Sequence, residues 1–399
     1  MKEKMYACNF MQATRRSFLL SWLACGLSLR ADETDSVRWL KTPESGLQPQ
    51  AIVDPGGVLH IVYLYGDPDA ADVGYVRKRP QDTEFSTPVR VNSCPGSAIA
   101  LGTVRGARLA LGANGVLHVA WNGSAKARPR GPGNSSPMLY TRLKPDGNTF
   151  EPERNLITCA SGLDGGGAVA ADRFGNVYVV WHARGMANGR LLEGEGNRRV
   201  WLARSSDGGA SFQPEAAVSP ADLGACGCCG LGAVSDNEGH LYVLFRTARE
   251  IVHRDMYLLS SRNRGETFRA VQLSPWQVGA CPMSTVSLVS NKQRVLLSWE
   301  REGQVYFASL DGNSGAVGPI IAAPGSGKNR KHPAIAVNAR DEILLAWTER
   351  TGWKKGGSLA WQLFDSSCRP ISSGLKPAAV PPWGAPAAIS LAGQFQLVC

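Results

Sequence analysis

One short pattern is written seven times along this chain: a run of small and apolar residues, a turn, then a strand that usually ends in an aromatic. It reads QAIVDPGGVLHIVYLY from Gln50, ARLALGANGVLHVAW from Ala107, GAVAADRFGNVYVVW from Gly167 and GAVSDNEGHLYVLF from Gly232. Weaker copies follow as VSLVSNKQRVLLSW from Val286, AIAVNARDEILLAW from Ala334 and AAISLAGQFQLV from Ala387. Recurrence every ~50 to 65 residues lies in the range of propeller blades. Each of the first six copies is followed by a second strand pair, such as VWLARSS with PEAAVSP, or MYLLSSR with RAVQLSP. Two successive hairpins make one four-stranded blade, and a lone twisted blade cannot cover both of its faces. The pattern therefore predicts an all-β fold, a β-propeller whose neighbouring blades bury one another.

Closure is the remaining requirement, because an open first or last blade leaves a hydrophobic sheet edge exposed. SVRWLKTP from Ser36 has the look of an outer strand without its blade, and AAISLAGQFQLV of an inner hairpin without its outer pair. Joined, they form a composite last blade and the count is seven; if the C-terminal hairpin packs elsewhere, it is six. The 45 Gly, 24 Pro and 19% charged residues suit many short strands and tight turns, so residues 32–399 are read as one domain.

The N-terminus carries TRRSFLLSWLACGLSLRA, in which Arg15 and Arg16 precede an apolar run from Phe18 to Leu29. The run is too short and interrupted to anchor in a bilayer, and reads as a twin-arginine export signal over residues 1–31, cleaved after Ala31. A lipoprotein attached at Cys25 is the competing reading. Either way the expected destination is the periplasm or the exterior, with no membrane span left after signal removal. Removing five basic residues and one acid leaves +6 of the formal +10. That excess is scattered rather than striped, which excludes a nucleic-acid face and leaves a glycan or small acidic ligand as the compatible partner.

Two turns between outer strands read SSDGGASF, Ser205 to Phe212, and SRNRGETF, Ser261 to Phe268; KPDGNTF, ending at Phe150, is a degenerate third. Asp207 or Asn263 caps the turn, Gly209 and Gly265 supply a positive φ, and the phenylalanine tucks under the hairpin. This resembles the Asp-box, or bacterial neuraminidase repeat, of the sialidase superfamily. The resemblance implies the propeller fold, with Asp207 and Asn263 structural and on the side away from an active site. It also implies a Phe/Tyr-Arg-Ile-Pro motif, three arginines gripping a substrate carboxylate, a Tyr/Glu pair and an Asp acid. No Arg-Ile-Pro element is present, and nothing in the spacing of Arg77, Arg105, Arg246, Arg254 and Arg350 selects a triad. A fold does not carry an activity.

Cysteines set this chain apart. Six fall in four successive linkers between the outer strand of one blade and the inner strand of the next: VNSCPG, LITCASG, ACGCCG and GACPM. Those linkers all open on one face, so Cys94, Cys159, Cys226, Cys228, Cys229 and Cys281 are expected to meet around the channel mouth. Disulfides are one reading for an exported chain. A thiolate site for copper or zinc on Cys226, Cys228, Cys229 and Cys281 is the other. Cys368 and Cys399 are expected to bond near the closure.

Loops between the second and third strands of each blade open on the same face. They hold Asp67, Asn122, His182, Arg184, Arg246, Arg249, His253, Arg254, Asp255, Glu300, Arg301, Glu349 and Arg350. Arg254-Asp255, Glu300-Arg301 and Glu349-Arg350 recur behind an aromatic-ended strand. Catalytic candidates are thus Arg246, Arg254, Asp255, Glu300, Glu349 and Arg350, with one carboxyl as acid and another as nucleophile. Surface ion pairs explain the same residues. His332, in KHPAIAV, is either a rim ligand or an exposed turn residue. Three functions remain open: a sialidase-like glycoside hydrolase or glycan-binding protein, a periplasmic metal-binding or redox-linked protein, and a propeller that binds only another protein.

Overall fold

The computed structural model describes residues 37–399 except Gln293 and Asn313. The segment read as an export signal, with Arg15, Arg16, Cys25 and Ala31, lies outside the described residues. No helix among them is long and apolar enough to cross a membrane.

The described chain is a seven-bladed β-propeller. Blade 1 contains Leu47–Val53, Leu59–Asp67, Ala70–Lys78 and Val89–Arg90, paired in that order from the channel outward. Blade 3 repeats it with Gly167–Ala171, Val177–Arg184, Arg198–Ser205 and Ala216–Ala217, and blade 4 with Gly232–Ser235, Leu241–Arg246, Met256–Ser261 and Arg269–Ser274. Blades 2, 5 and 6 are built alike on inner strands Arg108–Leu111, Ser287–Ser290 and Arg330–Val337. Each inner strand neighbours the next, and Ala387–Leu391 of blade 7 returns to Leu47–Val53, closing the ring.

Blade 7 has three strands rather than four. Val37–Leu40 pairs with Gln394–Val398 in parallel, Val37 opposite Phe395 and Leu40 opposite Val398. The direction has a simple cause: the chain must arrive on the mouth side to enter the inner strand of blade 1, so it runs alongside the C-terminal strand. Thr42 N–H donates to Cys399 O, and Cys399 N–H to Leu40 O, both at 3.1 Å.

Period-2 alternation becomes two-sided burial. In Val177–Arg184, Val177, Val179, Trp181 and Ala183 face blade 2, while Tyr178 and Val180 face blade 4. Seven apolar clusters among the described residues fill the seven gaps between blades. Trp121, Trp181 and Trp299, the aromatics that end second strands, are fully buried. Each such side chain contributes roughly 2–3 kcal/mol by leaving water. The inner strands carry small residues, including Ala51, Ala110, Ala170, Ala233, Ala336 and Ala388, and the channel they line holds a cavity of about 460 Å³.

The Asp-box turns lie on the face opposite the linkers, since the third strand of a blade runs away from the mouth. Asp207 accepts from Ser211 N–H at 2.9 Å, Ser211 Oγ at 2.6 Å and Ser205 Oγ at 2.7 Å. Asn263 and Asp146 cap their turns in the same way. Phe150 and Phe212 pack edge-on against Tyr75 and Tyr140 of the preceding blade. An arginine of that blade completes each contact: Arg77, Arg142 and Arg204 donate to the carbonyls of Gly147, Gly208 and Arg264. Arg77 therefore staples blades on the far face and is not a channel-mouth residue.

All eight described cysteines are free thiols. Cys368 sits in the turn before Pro370–Val380, at the far face, whereas Cys399 lies at the mouth end of the same region and donates to Ala379 O at 3.4 Å. The length of that strand separates them, so the expected bond near the closure does not exist.

Candidate functional site

Linkers run from the rim to the channel, so a residue's place along a linker sets its radius. Cys94 and Cys159 come early, just behind Arg90 and Asn155. Their backbone N–H groups donate to Glu153 and Glu215, which introduce the outer strands of the next blade. These two thiols stay at the rim, contrary to the expectation that all six would meet. Cys226, Cys228 and Cys229 come late, just before Gly232, and do gather. The Cys226 sulfur stands 2.7 Å from that of Cys229 and 3.4 Å from that of Cys228, and all three lie within 4.8 Å of one another. Cys281, from the linker between blades 4 and 5, approaches Cys228 from the solvent side but stands outside this trio.

Three neighbouring segments hold this loop. Cys226 N–H donates to Arg246 O at 2.9 Å, Gly166 N–H to Cys229 O at 3.2 Å, and Gly230 N–H to Ser284 O at 2.9 Å. Gly227 is required by close approach, since a Cβ there would collide with the Arg198 guanidinium and the Asp164 carboxylate. Burial opposes ionisation of Cys229, but thiol hydrogen bonds from Cys226 and Cys228, the Arg246 charge and the Ser284 N–H outweigh it. Its thiol is held well below the usual range. Hydrogen bonds with Cys228 and Cys229, together with burial, push Cys226 far above it, and the nearby Cys228 thiol raises Cys281 to about 11.

A chain of alternating charges wraps the loop. Arg105 meets Asp164 at 2.7 Å, Asp164 meets Arg198 at 2.9 Å, Arg198 meets Glu195 at 2.9 Å, and Glu195 meets Arg254 at 2.7 Å. Arg254 is 3% exposed, and its Nε and Nη1 have no partner among the described residues. Behind the loop stands His182, fully buried, with neither ring nitrogen partnered. Burial, reinforced by the Arg198 charge, lowers its pKa to about 3, so the ring is neutral.

The proposed catalytic residues are distributed over blades 4, 5 and 6. Arg246 donates to Arg254 O at 2.8 Å and to Glu300 O, and its guanidinium lies 4.8 Å over the Trp276 ring. Asp255 accepts from Trp276 N–H at 2.8 Å, and Glu300 from Gly303 N–H at 2.8 Å. Glu349 accepts from Trp347 Nε1 at 2.9 Å and Arg330 Nε at 3.2 Å. All three carboxylates are buried and each braces its own loop through at least one oxygen; Glu300 Oε2 has no hydrogen-bond partner among the described residues and lies 3.6 Å from Arg246. Arg350 is exposed, at a backbone φ of +61°.

Two residues that sequence reasoning passed over complete the mouth. Trp353 and Trp383 stand edge to face, ring centroids 6.3 Å apart, in a cleft of about 60 Å³ also lined by Thr103, Met283, His332 and Lys355. Trp353 is 54% exposed, unlike the buried tryptophans that end the blade strands. The available signal was an aromatic inside a Gly-bounded turn, GWKKGG, where no strand needs it. His332 belongs to this cleft. It is buried rather than an exposed turn residue, and burial brings its pKa to about 3.

No family model matches the chain, and no curated protein is similar to it in sequence. Solved structures are similar in fold. A protein of unknown function from Dyadobacter fermentans superposes with a TM-score of 0.52 at 14% identity, over 83% of this chain and 93% of that one. The Hadza microbial sialidase Hz136 gives 0.50 at 15% identity, over 83% and 74% of the two chains. This chain shares the propeller fold of these structures. A polysaccharide lyase also superposes, at 0.48 and 9% identity, over 81% and 78%. At such identities the likeness speaks for the fold alone. Within this propeller, function has to be read from the mouth: the thiol cluster, its charged wrapping and the tryptophan cleft.

Proposed function

We propose that the chain is an exported glycan-binding propeller, and that its mouth holds a carbohydrate bearing an acidic group. The observation carrying this reading is Trp353, a large aromatic left half in water at the mouth beside Trp383, with Lys354 and Lys355 following it in the loop. A flat apolar ring with cations beside it complements a sugar face and its acid group, and a concave site with a few polar groups is the usual form of a ligand site. Sialidase-like architecture and the twin-arginine segment support the same reading. Binding is favoured over hydrolysis because Asp255, Glu300 and Glu349 already brace their loops. A hydrolase would need one of them to face a glycosidic oxygen and another the anomeric carbon.

The test is an array of sialosides and other acidic glycans probed with wild-type protein and with Trp353→Ala, the same glycans being assayed for released sugar. Retention by wild type, weakening of about tenfold in the variant (about 1.4 kcal/mol) and no released sugar are expected. Absence of binding to every acidic glycan would remove the proposal.

A further inference from the structure

The thiols of the mouth are not needed by the reading above, and they make up a donor set of their own. We propose that Cys226, Cys228 and Cys229, closed on the solvent side by Cys281, form a binding site for a soft closed-shell metal ion, copper(I) or zinc(II).

Geometry comes first. Metal–sulfur bonds of ~2.3 Å in a tetrahedral site place the sulfurs roughly 3.7 Å apart. The Cys226–Cys228 separation of 3.4 Å and the 4.8 Å limit on the whole trio bracket that value. Only the 2.7 Å pair, Cys226 and Cys229, has to open, by about one ångström. The loop that carries the sulfurs is fixed at three points by backbone hydrogen bonds from blade 4 and from two linkers, so little ordering remains to be done on binding. Cys281 comes from a different linker and is exposed, which gives an ion a route in from the mouth.

Donor chemistry then selects the class of ion. The nearby carboxylates, Asp164 and Glu195, are taken up by Arg105, Arg198 and Arg254. What remains open to an ion is sulfur, which favours copper(I) or zinc(II) over calcium, magnesium or manganese. Ligated thiols lose their protons and concentrate negative charge in a largely buried place. Arg254, with two unpartnered nitrogens, the buried Arg246 and the half-buried Arg198 supply compensating charge. His182 is the second, independent observation. A fully buried imidazole with both nitrogens unpartnered stands against the same loop, where a Cβ built on Gly165 would lie 2.8 Å from its Nδ1 and 3.0 Å from Cys229 O.

The experiment uses mature-length protein purified under reducing, anaerobic conditions. It is titrated separately with zinc(II) and copper(I) against a chromophoric chelator, with free thiols counted before and after. One tightly held equivalent is expected, with loss of at least three reactive thiols on loading, and the two titrations decide between the ions. Cys228→Ser and the solvent-exposed Cys281→Ser should each weaken retention at least about tenfold. Cys281→Ser should melt like wild type, so its loss of metal would not be a folding defect. Trp353→Ala should keep the metal, which separates this test from that of glycan binding. Fully reduced protein that retains neither ion, or that retains one equally well in both serine variants, overturns the proposal. So does a Cys226–Cys229 disulfide in the exported protein that, after reduction, yields thiols with no affinity for either ion.

Discussion

Asp207 shows how much one side chain does in this fold. It accepts three hydrogen bonds inside its turn, and the bond from the Ser211 hydroxyl, followed by the Ser211 N–H, holds its carboxyl well below the ordinary range. Its contribution is present above the unfolded carboxyl pKa and is lost as pH falls through the folded one. Because the group is exposed, Asp207→Ala should cost only about 1 kcal/mol in urea unfolding at pH 7, and less at pH 3. Gly209→Ala should cost more, about 2 kcal/mol or above, because the residue sits at φ +77° with Tyr140 in the way of a Cβ. Four buried histidines, among them His60, whose pKa burial also lowers, add a second pH dependence. Burial lowers His118 to about 4, and His182 and His332 to about 3. Between those values and the unfolded pKa of about 6.5 the unfolded chain binds the extra protons, so stability falls as pH drops below about 6.5, by up to roughly 1.4 kcal/mol per pH unit per histidine. Melting curves from pH 7.5 to 4.5 should show this slope, and His118→Gln, which can still accept from the Tyr140 hydroxyl, should flatten it.

At the scale of elements, the blade repeat transmits contacts in one direction. An arginine at the end of a third strand reaches the Asp-box turn of the following blade, as Arg142 does to Gly208 O at 2.7 Å while its Nε holds Glu151 at 2.9 Å. Arg142→Ala should therefore lower stability by about 1–2 kcal/mol in chemical denaturation without affecting ligands at the opposite face. Linkers obey a different rule. Strand patterning identified the four that carry cysteines, and their common face followed from chain direction. Distance from the axis did not follow. Cys94 and Cys159 share a linker type with Cys226 but are held at the rim by Glu153 and Glu215, which recur as Phe-x-Pro-Glu three residues after Phe150 and Phe212 but whose reach into the preceding linker only the fold displays. Trp353 was hidden for a related reason: a loop aromatic becomes a binding surface only when another loop, here that of Trp383, arrives beside it.

For the whole molecule, stability depends on closure. The pairing of Val37–Leu40 with Gln394–Val398 covers an edge that would otherwise be open, and buries Val37 almost completely. Deleting residues 37–40 should cost at least about 2–3 kcal/mol and promote association through the exposed edge, seen as a lower melting temperature and a larger species in light scattering. Unchanged melting and a monodisperse monomer would contradict the role assigned to this strand.

What the sequence determined alone is the ring. Alternation, turn residues and the spacing of the copies are local properties, each blade writes them again, and a two-faced apolar sheet has few ways to cover itself except by stacking in a circle. The closeness of Cys226, Cys228 and Cys229 was also legible, because three residues inside a four-residue turn cannot be far apart. Tertiary structure alone decided which other groups join them. Cys281, His182 and the Arg105 to Arg254 charge chain meet there because separate linkers and loops reach the same radius and height. That meeting is set by the packing of whole blades, and no neighbouring residues in the chain encode it.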